Sequence, residues 1–479
     1  MMKNSWIIAM LLFVVASFVS CNDDDSFSLS TNHLLTFSTD TVVLDTVFSN
    51  VPTPTKTLWV FNRSGDGIRC VNVRLERGNQ TGFRVNVDGT YLGEASGFQT
   101  SNVEIRNKDS IRVFVELTSP LNYSEGPVKW NDNLLFTLES GVVQKVALSA
   151  FTWDAVFLDR LHVSGEQTLQ GSKPIVVYGG ITVDSTATLT IAPGTTLYFH
   201  NDAGIDVYGR LLCKGEADAN VTLRGDRIDR MFDYLPYDNV SGQWQGIRIH
   251  ESSYGNQFDY TDIHSTYNGI VIDSCDVDRL SLEMNACTVH NCQGYGIWAD
   301  HCKISLSNCQ ISNTLGDCLL VNGGNTRVAS CTLAQFYPFD SNRGVALRFR
   351  AQAEPLVFEC LNTLVTGYSD DELMGERADT TVVFDYRFSH CVLRTPKVET
   401  ADSVRFVSVM FEDPKDTTGV GRKHFAKIDT ENLRYDFRLD STSVAIGRAD
   451  ASTCLPVDRN GFTRDENPDV GAYEYVGKP

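Results

Sequence analysis

The chain has 479 residues, 42% of them hydrophobic, and carries a formal net charge of −19. That length suggests about three domains, and the acidity excludes nucleic acid as a partner, because phosphate binding needs a basic footprint and no basic stripe is present. Neutral sugars, or divalent cations held by carboxylates, remain compatible with it. Of the thirteen cysteines, most crowd between Cys213 and Cys391, and no Cys-x-x-Cys pair occurs, which argues against zinc ribbons and thioredoxin-like sites.

Residues 1–21 have the order of a targeting signal. Lys3 supplies the positive start, residues 6–15 (WIIAMLLFVV) the apolar run, and residues 16–20 lead to Cys21. The run is too short to span a bilayer. Phe18-Val19-Ser20-Cys21 resembles the lipobox of bacterial lipoproteins, with Phe18 where Leu is usual. The resemblance implies lipidation of Cys21 and a membrane anchor of several acyl chains. Residues 22–25 (NDDD) resemble the acidic export tag of Bacteroidetes lipoproteins, which implies the outer face of the outer membrane; the alternative is a solvated linker over residues 22–32.

Residues 33–153 alternate apolar and polar positions in short runs such as residues 58–61 (LWVF), 83–87 (FRVNV) and 111–117 (IRVFVEL). About seven strands in roughly 120 residues predict a small antiparallel β-sandwich. The order of these stretches resembles bacterial Ig-like domains of the ASH type, which implies a spacer or interaction module.

A repeat governs the next section, residues 154–425. Cys287, Cys309 and Cys331 each open an apolar triplet and are separated by 22 residues each time (309 − 287 and 331 − 309). Ile297-Trp298-Ala299-Asp300 and Leu319-Leu320-Val321-Asn322 repeat at the same distance, as do Met284, Leu306 and Val328. Several strand positions per repeat with one common period predict a three-sided solenoid, whose stacked coils bury what a single coil leaves exposed. The cysteines would then form an interior ladder of buried thiols, since aligned side chains miss disulfide geometry. Residues 187–195 (ATLTIAPGT), 207–211 (VYGRL) and 244–249 (WQGIRI) resemble the coils of bacterial right-handed parallel β-helix proteins. The expected fold is therefore all-β, a right-handed parallel β-helix preceded by the sandwich.

Near the end, Ser443-Val444-Ala445-Ile446-Gly447, Asp458-Arg459-Asn460-Gly461 and Asp469-Val470-Gly471-Ala472-Tyr473 resemble the choice-of-anchor Q region of bacterial surface proteins. Residues 426–479 are expected to cap the last coil, with Arg464 paired to Asp469.

Alternation also assigns outward positions on the solenoid. One column should hold Arg248, Val271, Trp298 and Leu320, and the next His250, Asp273, Asp300 and Asn322, with Arg348 continuing one of them. Asp273 and Asp300 beside His250 could bind calcium or share acid–base work, and Trp298 offers a flat face for a sugar ring. The alternative is an ordinary hydrated surface. His264 and His301 read as polar surface, and Asp370-Asp371-Glu372 as a loop. Known signatures are missing: no polygalacturonase series, P-loop, nucleophile elbow or His-Glu-x-x-His. Asp40-Thr41-Val42, Asp45-Thr46-Val47 and Asp402-Ser403-Val404 resemble Bacteroidetes O-glycosylation acceptors. The leading expectation is a non-catalytic surface lipoprotein whose β-helix binds a polysaccharide, a glycoprotein or another envelope protein. The alternative is a polysaccharide lyase or glycoside hydrolase working on the same face.

Overall fold

The computed structural model describes residues 26–232, 234–412 and 421–477. The leader, Cys21 and the acidic residues 22–25 lie outside the described residues. The chain divides into two compact units, with the boundary between Asp154 and Ala155.

Period-2 patterning builds the first unit. In Phe83–Val87 every second residue is buried, and Ser110–Leu117 repeats the pattern. A five-stranded and a six-stranded sheet enclose one core, with Leu58, Val60, Val85 and Val113 from the first sheet and Val73, Phe136, Val146 and Leu148 from the second. The sandwich is antiparallel except at one pairing, where Thr41–Phe48 runs parallel to Val143–Trp153. No hairpin links these two strands, so no short turn dictates their direction. Part of the stretch expected as linker is docked: Phe27 bridges to Gly67, and the Arg69 guanidinium lies 4.2 Å over the Phe27 ring.

The second unit is the right-handed parallel β-helix. Its coils contribute three strands each, and like strands stack into three parallel ladders. The first ladder runs through Ile247–Ile249, Ile270–Ile272, Ile297–Asp300, Leu319–Asn322 and Leu347–Ala351. The second runs through Arg210–Lys214, Asn256–Asp259, Leu280–Asn285, Lys303–Ser307 and Gly324–Ala329. The third runs through Val221–Gly225, Thr261–His264, Thr288–Cys292, Gln310–Thr314, Thr332–Gln335 and Leu364–Gly367. Inward positions form one continuous core, from Val163 to Leu393.

A single residue turns the chain from the second ladder to the third. Ala286, Asn308, Ser330 and Asn362 hold this corner with φ of 53°, 50°, 51° and 47°, in the left-handed region. So sharp a bend needs that conformation, which Asn tolerates best among residues with a side chain. Each corner amide donates to a carbonyl of the next coil, so the bend leaves none of these N–H groups unpaired.

The cysteine ladder follows directly after these corners. Thr288, Gln310 and Thr332 pair in register, which stacks Cys287, Cys309 and Cys331 on consecutive rungs. All twelve cysteines of the described residues are free thiols. Burial pushes the Cys287 thiol well above its ordinary range and the Cys292 thiol up to about 12. Alkylation of the native protein should therefore leave Cys287, Cys309 and Cys331 unmodified, with full labelling after guanidinium denaturation. A disulfide-linked peptide in the mass spectrum would contradict the ladder.

The last residues do not sit on the terminal rung alone, as a cap would. They run back along the third ladder as a strap over several coils. Phe425, Phe437, Ala445, Val470 and Ala472 pack on Ala334, Phe336, Leu364 and Val392. Polar anchors follow the same flank: Ala472 N donates to Thr332 Oγ1 at 3.0 Å, and Arg459 Nε to Thr288 Oγ1 at 3.1 Å. Asn362 accepts from Asp450 N at 2.8 Å. The motif residues hold the strap's own turns. Asp458 Oδ1 accepts from Asn460 N and Phe462 N at 2.8 and 2.9 Å, and Asp469 accepts from Gly447 N and Tyr475 N at 2.7 and 2.6 Å.

Arg464 does not pair with the Asp469 carboxylate, which those amides already occupy. It meets Glu474 at 3.1 Å, the Asp469 carbonyl at 3.0 Å and Asn308 Oδ1 at 3.0 Å. Both charged side chains are almost fully buried, so losing one strands the other. Arg464→Ala should lower urea stability by about 3 kcal/mol and expose residues 449–477 to protease. Unchanged stability and protection would show that the strap is held by other contacts.

Candidate functional site

Asp206, Arg248, Val271, Trp298, Leu320 and Arg348 pair in consecutive register along the first ladder, but Leu320, expected on the outward face, is buried. The neighbouring column carries His250, Asp273, Asp300 and Asn322. Inward neighbours Ile247, Ile249, Ile270, Ile272, Ile297 and Ala299 are buried, which fixes the outward set. Gly246 makes the approach possible: at φ +92°, a Cβ there would lie 1.6 Å from the Asn268 carbonyl.

A groove of about 550 Å³ lies on this face. It gathers Arg248, Asp273, Trp298 and Asp300 with Asp206 and Val271. Asp206 extends the column by one rung but was absent from the expected face, because the long excursion over residues 226–246 hides its alignment with Arg248. His250 bridges two of the carboxylates, 2.9 Å from Asp206 and 3.2 Å from Asp273, and its ring stacks on Tyr208 at 3.9 Å. Arg248 closes on Asp273 at 3.1 Å. Asn322 donates to Asp300 at 2.6 Å. Trp298 stands against Tyr295, with ring centroids 5.2 Å apart.

Arg348 continues the first column in register, but its guanidinium turns to Asp317 at 2.8 Å and to Glu376, away from the groove. A calcium site at Asp273 and Asp300 is not assembled. Arg248 and His250 take up the Asp273 carboxylate, and calcium wants six or more oxygen ligands.

His264 differs most from the surface residue expected. It is buried on the third ladder between two carboxylates, with Nδ1 3.0 Å from Asp262 and Nε2 2.8 Å from Asp238. His290, on the next rung, lies 3.2 Å from the same Asp262 oxygen, and the two rings stack at 4.7 Å. Burial opposes charge on His264, but Asp262 and Asp238 outweigh it and raise the imidazolium to about 9. Burial likewise opposes charge on Asp238, yet His264 and Arg224 hold it down at about 2. Asp262 and His290 line a cleft of about 450 Å³ between the third ladder and the strap, with Gln310, Asp436, Arg438 and Tyr473. A repeat search misses the cluster because His264 and His290 are 26 residues apart while the regular coils step by 22. His301 is partly buried, 3.7 Å from Glu354. Glu372, expected in a loop, is fully buried; burial raises its carboxyl to about 8 against the Ser369 and Ala346 amides.

The fold defines the class, a right-handed parallel β-helix protein. Residues 164–333 match the family described as right handed beta helix region. No curated protein matches the sequence significantly. Among solved structures, a family 123 glycoside hydrolase from Clostridium perfringens is similar at 9% identity and TM-score 0.17, over 25% of each chain. The chain thus spans about a quarter of that enzyme's length. An ASH/PapD-like domain of human CEP192 is similar at 10% identity and TM-score 0.17, over 28% of this chain and 94% of that one. The catalytic unit of a GH87 α-1,3-glucanase from Streptomyces thermodiastaticus is similar at 9% identity and TM-score 0.13, over 74% of this chain and 87% of that one. Likeness at this level carries no functional argument.

Proposed function

We propose that this protein is a lipid-anchored cell-surface binder that holds a glycan in the groove of the first ladder without cleaving it. The observation that carries the reading is the groove itself: an aromatic face, Trp298, beside Asp206, Arg248, Asp273 and Asp300. Sugars present apolar ring faces and rims of hydroxyls, and such a site offers a partner to each. The polar groups are already fixed by one another. Arg248 and His250 grip Asp273, and Asn322 holds Asp300. Fixed partners favour binding, since a carboxylate that must move a proton during turnover cannot stay locked to a guanidinium. The anchor rests on Cys21 with its apolar leader, and an outward orientation on the acidic residues that follow. In this reading the β-sandwich, an Ig-like module, spaces the solenoid from the membrane.

The purified chain from residue 22, titrated against host and plant polysaccharides, should quench tryptophan fluorescence with one class of glycan. Trp298→Ala should weaken that affinity roughly tenfold or more while leaving the melting temperature in place. Equal binding by the variant would remove the groove from the reading. New reducing ends or unsaturated uronates would replace a binder with an enzyme. In cells, labelled palmitate should enter the protein and fail to enter Cys21→Ser, and protease shaving of intact cells should release the ectodomain.

A further inference from the structure

The third ladder carries a second constellation, on a different face from the glycan groove. Thr261–His264 points Asp262 and His264 the same way, two residues apart, and its register with Thr288–Cys292 sets His290 directly beside His264. Three ligand atoms, one each from Asp262, His264 and His290, lie within 4.8 Å of one another. Asp262 Oδ1 is 3.0 Å from His264 Nδ1 and 3.2 Å from His290 Nε2. Among the described residues, no other group of three or more such side chains converges in this way.

The surroundings go beyond a chance meeting of polar groups. Asp238 lies 2.8 Å from His264 Nε2, the nitrogen that faces away from the cluster. A carboxylate on the remote nitrogen of an imidazole is the usual support of a metal-ligating histidine, because it fixes the tautomer and strengthens the donor. Asp238 is itself fixed by Arg224 at 2.7 Å. On the opposite side, Asp262 and His290 open to the cleft of about 450 Å³ under the strap. A site with three protein ligands on one side and a cleft on the other leaves coordination positions free.

We propose that Asp262, His264 and His290 form a binding site for a divalent transition-metal ion of the zinc type. His264 Nδ1, His290 Nε2 and the Asp262 carboxylate are the ligands, and Asp238 is a positioning residue acting through His264. Two imidazoles and one carboxylate suit zinc and its neighbours, whereas calcium and magnesium select sites built from oxygen. The ion's free positions face Gln310, Asp436, Arg438 and Tyr473 in the cleft, where water or an oxygen ligand completes the shell. The site needs neither the groove of the first ladder nor any glycan.

The test uses chelator-treated full-length ectodomain titrated with Zn²⁺ by calorimetry, and with Co²⁺ by visible absorption. One ion per chain should bind, and the Co²⁺ form should lack the intense thiolate band that the buried cysteines would give. His290→Ala and Asp262→Asn should each weaken Zn²⁺ binding by on the order of 100-fold, and Asp238→Asn by about tenfold. Circular dichroism and melting temperature without metal confirm that each variant folds, and His290, partly exposed, is the variant least disturbing to the core. Absence of zinc binding would overturn the proposal. So would binding that is indifferent to both His290→Ala and Asp262→Asn in folded protein, or a thiolate band in the Co²⁺ spectrum.

Discussion

The parallel backbone ladder between successive coils is the interaction on which the rest depends. Each strand spends its amides and carbonyls on the coil before and the coil after, so register passes along the solenoid one rung at a time. Once Thr288, Gln310 and Thr332 are in line, the positions on either side of them are in line too. The single-residue corners maintain this, because Ala286, Asn308, Ser330 and Asn362 return the chain to the third ladder at the same phase. The cysteine stack, the outward columns and the histidine pair are all consequences of that one restriction.

Two faces inherit the register and use it differently. On the first ladder the groove is lined by residues of the coils alone and mixes an indole with interlocked charges, while Leu320 farther along the column is buried. On the third ladder the strap covers much of the face, and between strap and coils a cleft opens over Asp262 and His290. The same scaffold thus places a groove formed by coils alone on one side and a cleft walled by the strap on another. Neither property belongs to a single residue; both come from which ladder the C-terminal segment lies against.

Much of this was legible in the sequence wherever coil length is constant. Cys309 and Cys331, or Trp298 and Leu320, are one rung apart because nothing is inserted between 285 and 333. Where a coil is longer, the period fails: His264 and His290 are neighbours across 26 residues, and Asp206 reaches Arg248 only across an excursion containing its own strands. The strap was invisible for a different reason. Arg459 to Thr288 spans 171 residues and Tyr473 to Gln310 spans 163, and such pairs leave no periodic trace. The sequence spacing pairs Arg464 with the Asp469 carboxylate, whereas the structure gives it Glu474 and the Asp469 carbonyl, because a buried guanidinium chooses among nearby acceptors by geometry that spacing does not reveal. Turn chemistry decided it, since the Asp469 carboxylate is consumed by the amides of Gly447 and Tyr475.

The strap also imposes an order of assembly. Coils can zip as the chain emerges, each templated by its predecessor, but the last fifty residues must arrive before the third face is walled. Those residues then staple together coils that otherwise touch only their neighbours, converting a string of local equilibria into one cooperative block. A chain cut short before residue 445 would lose Asn460 and Tyr473 from the wall of the cleft, and Val470 and Ala472 from the apolar seam that holds the strap to its coils.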